Sequence, residues 1–138
     1  MFRAVEHTKW FSKEYIFFLS ILVFKAGWSP TSKSFLILLI RKQDFEIVNE
    51  FLVKVGINKE DYLLRNVSFG EINSYLNAAD FGISLRHKDI MNETTPSAKI
   101  LEYLGSGLPV ITTSAMGEMS NIVSKNSFGV VVENMDVV

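Results

Sequence analysis

The sequence predicts a three-layer α/β domain in which helices cover both faces of a mostly parallel sheet of about five strands. Apolar runs of strand length alternate along the chain with amphipathic stretches of helix length, and this pattern is typical of strands joined by helical crossovers. The segment at residues 34–40 is continuously apolar from Phe35 onward, as in strands that are buried on both faces. The 138 residues fit a single domain, residues 1–138, with a sizeable core.

Composition excludes several functional classes. The charged fraction is 21% and the formal net charge is -1, so no strong field attracts nucleic acid or an anionic membrane. The absence of cysteine excludes disulfides, thiol catalysis and thiolate zinc sites. His7 and His87 are far apart and no cluster of carboxylates is visible, so we expect no metal site. We expect a cytoplasmic location, with the inner membrane surface as the alternative.

The most apolar run lies near the start of the chain. Residues 15–24 are almost entirely apolar, but a membrane span needs about 20 such residues, so we expect no integral span. A signal-like or membrane-surface role is an alternative, because basic residues precede the run. The preferred prediction is a helix over residues 10–25 that is buried on several sides.

The later elements follow in order. After the strand at residues 34–40, Asp44 caps a helix to about residue 55 that Gly56 ends. Further strands are predicted at residues 62–67, 81–85, 108–112 and 128–133, and further helices at 71–79 and 119–125. Residues 86–95 are predicted to form a polar loop. Ligands bind at the carboxyl ends of parallel strands, so the loops after the second, third and fourth strands are expected to form the site.

Residues 94–111 predict a loop, a short helix and a buried strand. Thr95 suits the N-cap position and Pro96 the first helical position. Gly105 or Gly107 can adopt the left-handed conformation that ends a helix. The chain then enters the strand at residues 108–112, which begins near a proline.

The start of this short helix is a candidate anion site. Its free N–H groups suit a diphosphate, and polar side chains surround it: Thr94, Thr95, Ser97 and Lys99. Glu102, one turn later, is placed to accept hydrogen bonds from sugar or ribose hydroxyls. From spacing alone, an exposed ion pair between Lys99 and Glu102 is the simpler interpretation.

Three segments share the order and spacing of one family signature. They are TPSAKILEYLGSGLPVI at residues 95–111, YLNAADFGISL at 75–85 and NSFGVVV at 126–132. Together they resemble the Pro-Ser-Lys, Glu-Tyr-Leu and Gly-x-Pro-Val-Ile signature, with its flanking strands, of retaining GT-B-fold glycosyltransferases of group 1. The resemblance is firmest over residues 62–133. It implies a Rossmann-like domain that is half of a GT-B fold.

The resemblance implies the donor-binding, C-terminal half of an enzyme that transfers a sugar from a nucleotide-sugar to a saccharide or lipid-linked acceptor, as in cell-surface polysaccharide biosynthesis. By resemblance, Glu102 holds the ribose hydroxyls, and residues 95–99 approach the sugar and diphosphate. The loop at residues 67–70, with Ser68 and Phe69, borders the base. The nucleotide-sugar is the substrate, and no cofactor or metal is implied.

The same family places its acceptor site in a separate N-terminal domain. We therefore expect a truncated chain that contains no catalytic residue, is inactive alone and pairs with an acceptor domain or chain. The alternative is a non-catalytic remnant or interaction module that pairs with a separate acceptor-domain chain. An unrelated flavodoxin- or receiver-type domain is disfavoured, because the strand at residues 34–40 leads to Arg41-Lys42-Gln43-Asp44 rather than to paired acidic residues.

Overall fold

The computed structural model describes residues 20–25, 33–86 and 90–133, and these residues form a six-stranded sheet. The strands are β1 (Ser20–Lys25), β2 (Ser34–Leu39), β3 (Tyr62–Arg65), β4 (Phe81–Ser84), β5 (Val110–Thr113) and β6 (Gly129–Val132). Their order across the sheet is β3-β2-β1-β4-β5-β6, as in the Rossmann arrangement. β1 is antiparallel to both of its neighbours, and the other neighbouring pairs are parallel. The predicted α/β class with a mostly parallel sheet is confirmed.

Helices of the described residues cover both faces of the sheet. They are α1 (Phe45–Lys54), α2 (Phe69–Ala78), α3 (Ile90–Thr94), α4 (Ala98–Gly105) and α5 (Glu118–Lys125). On one face, Leu52 of α1 packs with Leu38 of β2. On the other face, Ile37 of β2 shares a core with α2, α4 and α5. Because successive strand residues point to opposite faces, Ile37 and Leu38 face two different helical layers with the sheet between them. This is the predicted three-layer arrangement.

Residues 20–25 form a strand, so the helix predicted over residues 10–25 is wrong in this part. β1 pairs with β2 on one side and with β4 on the other. Leu22 is fully buried and Val23 nearly so, as expected of a central strand that is covered on both faces. Periodicity alone does not distinguish a short, continuous apolar strand from a buried helix segment. Residues 10–19 of that prediction lie outside the described residues.

The other predicted strands and helices among the described residues are confirmed, with ends shifted by at most about two residues. The predicted polar loop at residues 86–95 is corrected, because residues 90–94 form the short helix α3. The Thr94 hydroxyl donates to the Ile90 carbonyl at 2.7 Å and so stabilises this single turn. A Cβ atom at Gly117 would lie only 2.2 Å from the carbonyl oxygen of Glu93, so the two segments approach closely at this glycine. That contact packs α3 against the start of α5.

Gly82 determines how closely α4 approaches the sheet. A Cβ atom at Gly82 would lie 2.4 Å from Cδ2 of Tyr103, and Tyr103 is completely buried. The aromatic ring therefore lies on the bare backbone of β4. This contact fixes the position of α4, and with it Glu102, relative to the carboxyl edge of the sheet.

Candidate functional site

Helix α4 starts later than the sequence predicts. Its N-cap is Ser97 rather than Thr95, and its first residue is Ala98 rather than Pro96. The Ser97 hydroxyl accepts a hydrogen bond from the Ile100 N–H at 3.4 Å. The sequence offers several neighbouring hydroxyls, and packing selects the buried one.

The Ser97 hydroxyl also joins α4 to the sheet. Its Oγ atom lies 3.5 Å from Oγ of Ser84, the last residue of β4, and Ser97 is completely buried. The two threonines that precede the helix, Thr94 and Thr95, are exposed. Ser97 therefore builds the helix start, while the two threonines face solvent beside it. At the other end, α4 stops at Gly105, and Gly107 adopts the predicted left-handed conformation with φ of 74°.

Lys99 and Glu102 form the ion pair that their spacing predicts. The distance from Lys99 Nζ to Glu102 Oε2 is 2.9 Å, with 24% and 37% of the side chains exposed. A surface pair of this kind contributes little to stability, on the order of a few tenths of a kcal/mol. A carboxylate has about four acceptor positions, so Glu102 retains the capacity to bind hydroxyl groups while it contacts Lys99.

A small cavity brings together two residues, Phe69 and Glu102, to which the family resemblance assigns donor binding. It has a volume of about 100 Å³ and lies between α2 and α4, and its lining residues are Phe69, Ile72, Asn73, Leu76 and Glu102. Phe69 is 88% exposed, whereas Leu76 is buried. The cavity thus has an apolar base, a free aromatic side chain and a carboxylate.

The start of α2 is held by Ser68 and Glu71. The backbone N–H and the hydroxyl of Ser68 both donate to Oε2 of Glu71, at 2.9 Å and 2.6 Å. These bonds, the hydroxyl bond first, lower the pKa of Glu71 below its usual value of 4.5. The predicted site residue Ser68 is therefore engaged in ordering the helix start. Phe69, the first residue of α2, is positioned by that cap.

A second hydroxyl joins the segment that follows β4 to the last residue of β5. The Thr113 hydroxyl accepts from the Arg86 N–H at 3.2 Å and donates to the Arg86 carbonyl at 2.8 Å. Thr113 is almost completely buried. Its neighbour Thr112 is also buried, and its hydroxyl has no hydrogen-bond partner within the described part of the chain. Of these two adjacent threonines, only Thr113 therefore has a hydroxyl whose hydrogen bonds to described residues stabilise this edge of the sheet.

The cavity lies where the sequence places a ligand. α2 follows β3 and α4 follows β4 in the chain, so both helices begin on the carboxyl side of parallel strands. Sequence reasoning missed Asn73. This residue is four positions after Phe69, a spacing that places both side chains on one side of a helix, and that spacing is the signal that could have identified it.

Over residues 20–25, 33–86 and 90–133, no group of three or more His, Cys, Asp or Glu side chains is arranged to hold a metal ion. No helix in these ranges has the length and apolar character needed to cross a membrane. Comparison of the chain with protein-family models, with curated proteins and with solved structures found no match. Support for a function therefore comes from the site and from the sequence signature.

Proposed function

We propose that this domain is the donor-binding half of a glycosyltransferase that uses a nucleotide-sugar. The observation that supports this proposal best is the cavity in which Phe69 and Glu102 meet. An exposed aromatic ring suits a planar base, and a carboxylate beside it suits the hydroxyls of a ribose. The two residues belong to different helices, so their meeting depends on the fold.

The proposed donor extends from this cavity towards the start of α4. The base contacts Phe69, and the ribose hydroxyls donate to Glu102. The diphosphate then lies near Lys99, whose ammonium group is 2.9 Å from the Glu102 carboxylate, and near the N–H groups of the first turn. A helix N-terminus carries about half a positive charge and favours phosphate. Thr94 and Thr95 are exposed immediately before α4, and we propose that both hydroxyls contact the donor. The Thr94 hydroxyl donates to the Ile90 carbonyl and therefore acts towards the donor as an acceptor.

The small size of the cavity supports the proposal that this domain forms one wall of a larger site. A volume of about 100 Å³ is small beside the roughly 300–1,000 Å³ of most ligand pockets. It accommodates part of a nucleoside, and the sugar must be enclosed by another surface. We propose that an acceptor domain or chain supplies that surface, binds the saccharide or lipid-linked acceptor and excludes water during transfer. We propose that the enzyme acts in the cytoplasm, in the biosynthesis of a polysaccharide of the cell surface.

Nucleotide binding to the isolated chain tests this proposal. Uridine or guanosine diphosphate should shift the amide resonances of residues 94–103. The Glu102→Ala substitution should weaken binding about 10- to 100-fold, because hydroxyl groups of the ligand lose their acceptor in a partly enclosed site. Glu118→Ala is the matched control, since Glu118 is an exposed residue at the start of α5. Binding in this control should equal that of the wild type.

Two results would contradict the proposal. The first is the absence of any shift at millimolar nucleotide, which would leave the interaction module as the remaining interpretation. The second is equal binding by the wild type and by the Glu102→Ala variant, which would move the nucleotide elsewhere on the domain.

A further inference from the structure

Asn73 is the cavity residue to which no role has been assigned. It lies on α2, four residues after Phe69, and lines the cavity together with Phe69 and Glu102. Its side chain is exposed, and it is the uncharged polar residue of the lining, which otherwise consists of three apolar residues and one carboxylate. An amide in a mostly apolar lining can fix the orientation of a bound ligand through hydrogen bonds.

The residues that line the cavity suit different parts of a nucleoside. A carboxylate only accepts hydrogen bonds and therefore suits hydroxyl groups, which donate them. The Asn73 amide presents an N–H donor and a carbonyl acceptor side by side. This pair matches a base edge on which a donor lies next to an acceptor, such as N3–H and O4 of uracil. The ring of Phe69 offers contact to any base face, so it discriminates little.

We infer that Asn73 is the residue by which this domain recognises the nucleobase of its donor. The inference rests on the proposed function, because it requires a nucleoside in the cavity. Glu102 holds the ribose and Phe69 contacts the face of the base. The Asn73 amide then bonds to the edge of the base. Specificity for the base is thus determined on α2, and affinity for the ribose on α4.

Two substitutions at this position test the inference by titration with uridine diphosphate and guanosine diphosphate. Asn73→Ala should weaken uridine diphosphate binding about tenfold, because the base edge loses its partners. Asn73→Asp should raise the ratio of guanosine to uridine diphosphate affinity about tenfold. Aspartate only accepts hydrogen bonds and so fits the adjacent N1–H and N2–H donors of guanine. Because both ligands have the same diphosphate, the ratio cancels the effect of the added negative charge.

Asn77→Ala is the matched control, because Asn77 is an exposed asparagine one turn further along α2 and does not line the cavity. It should bind both nucleotides as the wild type does. The inference is overturned if Asn73→Asp changes both affinities by the same factor, or if Asn73→Ala binds as tightly as the control. If Glu102→Ala still weakens binding in that case, the proposed function stands and only the role of Asn73 fails. If the wild type binds no nucleotide, both fail.

Discussion

Replacing Gly82 with alanine tests whether the contact between β4 and α4 holds the site together. The new methyl group would lie 2.4 Å from Cδ2 and 2.5 Å from Cγ of Tyr103. Carbon atoms normally approach to about 3.5–4.0 Å, so the ring must move by about 1 Å or more. Tyr103 is completely buried, and its hydroxyl lies 3.5 Å from the Ile83 carbonyl. The ring therefore has little room to move without moving α4.

The expected cost is at the upper end of that for overpacked cores, about 3 kcal/mol of the free energy of unfolding. For a domain of this size that loss lowers the melting temperature by roughly 6–12 °C. Urea unfolding followed by circular dichroism and fluorescence measures it. A displaced α4 also carries Glu102 away from Phe69, so nucleotide affinity should fall in parallel.

Two further variants make this prediction refutable. Gly105→Ala is the control: a Cβ atom there meets nothing within 4 Å, and alanine favours helix at this last residue of α4, so stability should stay equal or rise slightly. The double variant Gly82→Ala/Tyr103→Leu should lose at least about 1 kcal/mol less of the free energy of unfolding than the sum of the two single losses, because the smaller side chain leaves room for the new methyl group. Wild-type stability of Gly82→Ala, or strictly additive effects, would refute the packing argument.

The other predictions concern hydroxyl and carboxylate groups near the site. Thr113→Val removes both bonds to the Arg86 backbone, so the free energy of unfolding measured in urea should fall by about 1–3 kcal/mol. Thr112→Val removes a buried hydroxyl without a partner in the described chain and should be neutral or stabilising. Equal losses of stability in the two variants would contradict this reasoning. The folded-state pKa of Glu71 is lowered from 4.5, so its stabilising contribution is complete above that value and is lost as pH falls through the lower folded-state pKa. A carbon-detected NMR titration should show a low pKa for Glu71 that returns towards 4.5 in Ser68→Ala, and an unchanged titration would show that the cap is not its cause.

Much of the fold could be predicted from local patterns. The continuous apolar run that forms β2 and the amphipathic stretches that form α1 and α2 are recognisable from spacing, because their period matches the structure they adopt. β1 could not be identified in this way. Its apolar residues suit a buried helix as well as a central strand, and only pairing with β2 and β4 decides between them.

The candidate site shows the same division between local and long-range information. The ion pair between Lys99 and Glu102 follows from residue type and spacing along the chain, whereas Phe69 is selected only by the resemblance to the glycosyltransferase signature. The N-cap at Ser97 does not, because neighbouring hydroxyls compete and the contact with Ser84 selects one of them. Sequence spacing likewise does not show that Asn73 lies with Glu102 in one cavity.

The sequence by itself determined the alternation of strands and helices, the absence of thiol chemistry and the segments that resemble a glycosyltransferase signature. These features are local, because each depends on residues that are close together in the chain. The tertiary structure decided the strand identity of residues 20–25, the start of α4 at Ser97 and the meeting of α2 with α4 around the cavity. These features depend on contacts between distant segments, which form only when the apolar faces of the helices are buried against the sheet.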